Sequence, residues 1–205
     1  MGTANDISTK ASRWFVRLFA ATLLTSAVAT AQTSLQLDPA KTAVRFTLDA
    51  ALHTVHGTFQ AKPGTLQFDS ASGQVWGEIL VDARTGETGN GMRDRKMHNE
   101  VLESANYPDI SFRPDRISGA VAMPGKSSVM VHGVFRIHGT DREINVPAQI
   151  AMSEDRWSAT VHFTVPYEKW GMKNPSTFFL RVSDSVEIDL TVAGSLQKRS
   201  PSSSQ

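Results

Sequence analysis

Residues 129–152 read VMVHGVFRIHGTDREINVPAQIAM. Val129, Val131, Gly133, Phe135 and Ile137 alternate with Met130, His132, Val134, Arg136 and His138. After Gly139-Thr140-Asp141, Ile144, Val146, Ala148, Ile150 and Met152 alternate with polar or small partners. Successive side chains on a strand point to opposite faces, so each arm has one apolar and one mainly polar face. The turn residues between them make an antiparallel hairpin.

The same period runs along most of the chain. It is found at Val44, Phe46 and Leu48; at Val75, Gly77, Ile79, Val81 and Ala83; from Trp157 to Val165; and at Val186, Ile188, Leu190 and Val192. Shorter runs lie at His53–Gln60, Thr65–Asp69 and Ile110–Arg113. Lys62-Pro63-Gly64, Ser70–Gly73 and Pro124-Gly125-Lys126 read as hairpin turns. Eight or so strands with one apolar face each, and no helices to cover it, must stack as a sandwich or curl into a barrel. The fold class is all-β. One segment departs from the alternation. Asn90 to Ser104 (NGMRDRKMHNEVLES) reads as one inserted helix, with Asn90 as N-cap and Met97 and Val101 on one face.

The first residues differ from the rest. Lys10, Arg13 and Arg17 precede an apolar run from Leu18 to Ala29, and Ala29-Thr30-Ala31 ends on small residues. This is the three-part pattern of a cleaved secretory signal over residues 1–31, and the run is shorter than the roughly 20 residues that span a bilayer. Cleavage removes three of the 21 bases and one of the 20 acids, which leaves a net charge of −1. Such a balance lacks the footprint of a nucleic-acid binder. The absence of cysteine excludes disulfides, thiolate metal sites and cysteine nucleophiles. The single domain is expected over residues 32–196, with a disordered Ser-rich tail over 197–205.

Catalytic and metal constellations are not visible. His53 and His56 are three apart on an expected strand and point to opposite faces; His132 and His138 share a face about 20 Å apart. No Gly-x-Ser-x-Gly elbow and no phosphate-binding Gly-rich loop occurs. The expectation is no enzyme activity, no metal and no cofactor. The aromatics say more. Phe46, Phe59, Phe68, Phe112, Phe135, Trp157 and Phe163 all fall in phase with the apolar face. They either fill the interior or line a cavity, since alternation fixes the face and not the filling.

Four stretches and a C-terminal strand carry a family resemblance. They are Leu37-Asp38-Pro39 with Ala43-Val44-Arg45-Phe46; Val55-His56-Gly57-Thr58-Phe59 with Gly64-Thr65-Leu66; Thr88-Gly89-Asn90, Arg93-Asp94 and Tyr107–Phe112; and Gly133–Thr140. The last is Trp170-Gly171-Met172 with Asp184–Ile188. In order, these resemble the YceI-like family, the periplasmic polyisoprenoid-binding proteins with a lipocalin-like barrel. The resemblance implies an extended antiparallel eight-stranded barrel with one inserted helix. It also implies periplasmic location and an amphipathic lipid inside: an isoprenoid, a quinone tail or a fatty-acid derivative. The lining would add Val55, Ile79, Val81, Ile110, Val131 and Val161 to the aromatics, and the helix would wall the cavity through Met92, Met97, Val101 and Leu102. Asp94 reads as structural, and Arg93 as a candidate head-group contact. A membrane or envelope protein would give or take the lipid. The oligomeric state is left open, with a homodimer among the options. The rival reading keeps the barrel but gives it a solid core, acting as a structural or stress-protective envelope module through its surface.

Overall fold

The computed structural model describes residues 32–177 and 181–198. The leader expected over 1–31 lies outside them, as does most of the expected tail. Gln197 and Lys198 correct the start of that tail: they lie in the last strand and pair with Ser34 and Thr33.

Eleven strands form one antiparallel sheet: β1 (Gln32–Leu37), β2 (Ala43–Asp49), β3 (Thr54–Ala61), β4 (Gly64–Asp69), β5 (Val75–Gly77), β6 (Ile79–Glu87), β7 (Asp109–Ser118), β8 (Gly125–Ile137), β9 (Thr140–Met152), β10 (Arg156–Val165) and β11 (Val186–Lys198). The β10–β11 pairing closes β10-β9-β8-β7-β6-β3-β2-β11 into a ring of eight. The remaining strands lengthen that ring. β1 pairs with β4 just as β2 pairs with β3, and β4 pairs with β5 just as β3 pairs with β6. Each of β1–β2, β3–β4 and β5–β6 is therefore one long strand broken in its middle. The breaks are a short 3-10 turn (Pro39–Lys41), Lys62-Pro63 and Glu78.

This corrects the reading of Lys62-Pro63-Gly64 as a hairpin turn. β3 and β4 do not pair with each other, so the Pro-Gly step kinks one strand instead of reversing it. The run read over Ile110–Arg113 is also longer than that. β7 runs on to Ser118, with a bulge between Pro114 and Arg116 that absorbs the missing N–H. The 129–152 hairpin forms as read, with Val131 opposite Val146 and Ile137 opposite Thr140.

The inserted helix starts where expected. Asn90 Oδ1 accepts from the Met92 and Arg93 amides and caps α1 (Gly91–Lys96). It is not one α-helix to Ser104. After Lys96 the coil widens to a π-helical segment, Met97–Val101, closed by Leu102 N–H donating to Met97 O at 2.9 Å. His98 fixes this segment to the barrel, with Nε2 2.8 Å from Gly86 O and Nδ1 3.0 Å from Ser104 Oγ.

Up-and-down connectivity places the β2–β3 turn, the helix and the long β10–β11 connection at one end, here the upper end. The turns at Ser70–Gly73 and Ser153–Asp155 lie at the other. Near that lower end, Leu35, Phe68, Val75, Ile150, Met152 and Trp157 form the buried core. Around the upper end, Leu102, Phe135, Ile137, Val165, Tyr167 and Met172 form a second cluster.

Candidate functional site

A cavity of about 630 Å³ runs through the barrel between the two clusters. The period-2 phase puts its walls in place. Phe46 and Val55 come from β2 and β3, Ile79 and Val81 from β6, Ile110 and Phe112 from β7, and Val131 and Phe135 from β8; Trp157, Val161 and Phe163 come from β10. Phe59, Phe68, Met97, Val101 and Leu102 also line it, so every residue expected on the wall borders the cavity. Met92 is the outlier among them: at 78% exposed it forms the lip and not the wall.

The lower end is shut. Phe68 is 2% exposed, Val75 4% and Trp157 5%, and Trp157 Nε1 donates to Gln36 O at 3.2 Å. An eight-stranded barrel has an interior that side chains alone can fill. Here glycines let large side chains lie flat against the wall. A Cβ on Gly57 would fall 2.2 Å from Phe46 Cζ, and one on Gly86 would fall 2.4 Å from Phe59 Cε1 and 2.8 Å from Met97 Cε. Phe46 and Phe59 then pack on each other with centroids 5.4 Å apart. On the opposite wall Phe135 meets Phe163 edge-on at 5.7 Å and Trp170 at 5.9 Å.

The mouth lies at the upper end, where the residues bordering the cavity change character. They include Ala50 and His53 from the β2–β3 turn, Thr88, Asn90, Arg93 and Lys96 around α1, and Pro175, Thr177 and Val182 from the β10–β11 connection. Two links tie the helix to that connection: Lys96 Nζ donates to Pro175 O at 2.8 Å, and Lys173 Nζ to Glu100 Oε2 at 2.8 Å. Thr88 organises the start of the helix. Its hydroxyl donates to Asp94 Oδ1 and accepts from Arg93 Nε at 2.7 Å, while Arg93 Nη2 donates to Thr88 O at 3.0 Å. Asp94 is thus a structural acceptor. Arg93 borders the mouth with its guanidinium plane already fixed.

The strand pattern could not reveal Tyr167 and Met172 on the β10–β11 connection or Lys96 on α1, and His53, read as the start of a strand, lies on the β2–β3 turn just before β3. Tyr167 is 4% exposed; burial pushes its phenol up to about 12, and its hydroxyl donates to Ser183 O. The other histidines face outward or away from one another. His132 bonds Asp115, His162 bonds Asp189, and His56 lies beside Thr47. Among the described residues no group of three or more His, Asp or Glu side chains converges on a point that would hold a metal. No helix among them is long and apolar enough to cross a membrane.

The model of the YceI-like domain matches residues 35–193, the whole barrel but its outermost residues. The chain belongs to the YceI-like family. A UPF0312 protein from Pseudomonas syringae pv. tomato is 27% identical over 154 residues, 71% of this chain and 75% of that one. Among solved structures, this YceI-like chain is similar to Burkholderia cenocepacia BcnA (TM-score 0.63, 18% identity, covering 77% of this chain and 99% of that one). It is also similar to a polyisoprenoid binding domain from Saccharophagus degradans implicated in plant cell wall breakdown (TM-score 0.63, 14% identity, 83% and 99%). A Campylobacter jejuni YCEI protein follows (TM-score 0.56, 16% identity, 73% and 88%). At these identities the likeness speaks for the fold.

Proposed function

We propose that this YceI-like chain is a periplasmic carrier that holds an isoprenoid or related amphipathic lipid in its barrel and performs no chemistry on it. The observation that carries the reading is the shape and polarity of the cavity: a long apolar lumen, shut below and open above at a polar rim. Burying a tail there gains about 25 cal/mol per Å² of apolar surface. A wall built on paired strands needs little ordering when the ligand enters. The name of the Saccharophagus degradans domain points to the same class of ligand. Family membership and the basic-apolar leader motif support a periplasmic location. The exposed Leu52 and Met92, at 81% and 78%, flank the mouth and suit exchange with a membrane or an envelope protein. The rival envelope module requires a solid core, which an open lumen of this volume disfavours.

The test is organic-solvent extraction of the purified protein followed by mass spectrometry. A prenyl, quinone or fatty-acyl species at near-stoichiometric amount is expected. Empty extracts from several independent preparations would overturn the carrier.

A further inference from the structure

The cavity border carries no aspartate or glutamate among the described residues. Apart from His53 and the Tyr167 phenol, its ionisable side chains are the basic pair Arg93 and Lys96. They stand three apart on α1, the spacing that puts two side chains on one helix face. The acids nearest in sequence are turned elsewhere. Asp94 accepts from Thr88 N and Thr88 Oγ1. Glu100 takes Lys173, whose hydrogen bond holds the Glu100 carboxyl below its ordinary value, with the field of Lys96 adding to the effect.

Among the described residues, none of the ion pairs within 4.0 Å includes Arg93 or Lys96. Among the described residues Lys96 Nζ donates to a neutral acceptor, Pro175 O, which uses one of the three donors of an ammonium. Two cations at the edge of a low-dielectric tunnel act more strongly than the same charges in open water.

We propose that the lipid carried here has an anionic head group, a phosphate or carboxylate, seated at the mouth between Lys96 Nζ and the Arg93 guanidinium. This rests on the carrier reading. A neutral head, such as a quinone ring or an alcohol, would leave both cations without a directly bonded anion. An anionic head forms charge-assisted hydrogen bonds with both as its tail fills the lumen.

The experiment compares binding of farnesyl monophosphate, farnesol and inorganic phosphate to the purified chain by isothermal titration calorimetry. It uses the native chain, Lys96→Met and Lys96→Arg, with each variant's fold checked by thermal melting. The native chain is expected to prefer farnesyl monophosphate over farnesol at least tenfold, the range of one hydrogen bond to a charged group. Lys96→Met should lose most of that preference and keep its farnesol affinity, Lys96→Arg should restore it, and inorganic phosphate should bind far more weakly. Equal affinity for phosphate ester and alcohol would overturn the inference and leave the carrier intact. A Lys96→Met loss that falls equally on both would show that Lys96 acts only through Pro175, and would overturn it too. Inorganic phosphate binding as tightly as the ester would mean a free-anion site. Failure of both farnesyl probes, with empty solvent extracts, would remove the carrier reading itself.

Discussion

Ala159→Phe separates an open lumen from a filled one. Ala159 is a half-buried residue of β10, paired with Ile150 on one side and Val192 on the other, and its methyl borders the cavity between Trp157 and Val161. A phenyl ring there has space to enter. It removes about 100 Å² more apolar surface from water than a methyl does, worth about 2.5 kcal/mol at about 25 cal/mol per Å². Restricting the new side chain costs about 0.5–1 kcal/mol. The ligand-free protein should therefore gain about 1–2 kcal/mol, or several degrees in Tm for a domain of this size. Lipid retention should fall sharply because the ring occupies the tail's path. The assay is urea unfolding of delipidated protein, since bound lipid would itself stabilise the native chain by mass action, together with mass spectrometry of the undelipidated preparation. In a packed interior the same ring would instead cost about 1–3 kcal/mol. A destabilised variant that keeps its full lipid load would refute both the open lumen and its role.

Three further outcomes follow from named contacts. Phe135→Asp removes a buried ring packed on Phe163 and Trp170 and puts a carboxylate into the apolar wall; a loss of at least 3 kcal/mol and of lipid retention is expected, as it is for Phe59→Asp, and unchanged melting of both would reverse the assignment of the inner face. Gly86→Ala places a methyl 2.4 Å from Phe59 Cε1 and 2.8 Å from Met97 Cε, so it should cost about 1–3 kcal/mol and push both side chains into the lumen; a competition series of tails of increasing bulk should show the bulkiest excluded first, and an unchanged series would mean that the Phe59 ring does not gauge the bore. The Asp82 carboxyl is held down at about 2, chiefly by the hydrogen bond from the Arg84 guanidinium and with help from Lys62. Because its folded value lies below the unfolded one, its stabilisation is complete above about pH 4 and is lost as the pH falls toward 2; urea titrations across that window should show a smaller acid loss for Asp82→Asn than for the native chain, and parallel curves would exclude the pair as a contributor.

The inner face was legible because alternation is a local property. One residue of phase error would have moved a whole strand's apolar set into water, so Phe46, Val81, Phe135 and Trp157 could each be placed from neighbours two positions away. What the pattern concealed was long-range. Lys62-Pro63-Gly64 has the chemistry of a reversal, and whether it reverses or merely kinks is decided by β1 and β5, which flank β4 from distant points of the chain. The strand read to Arg113 runs on through Pro114 because a bulge there keeps its pairing with Gly133 and His132 of β8. The mouth was the least legible part. His53, Lys96, Tyr167 and Met172 reach the cavity from a turn, a helix and a connection, whose positions are set by tertiary contacts such as the one between Lys96 and Pro175. Arg93 was singled out for its chemistry, but its tie to Thr88 is a matter of geometry.

The two ends of the lumen also impose a direction on any guest. Below, Leu35, Phe68, Val75 and Trp157 close the barrel with apolar surface, and the indole N–H is already bonded to the Gln36 carbonyl. A head group pushed to that end would lose its hydration and find no partner, which costs several kcal/mol for a neutral group and more for a charge. At the mouth the same group keeps water and meets Asn90, Arg93 and Lys96. An amphiphile must therefore enter tail-first and stay head-up. On the proposed carrier reading, depth of the floor would limit tail length and chemistry at the rim would select the head, so the two specificities should be separable by substitution: Ala159 and Gly86 for the tail, Lys96 for the head.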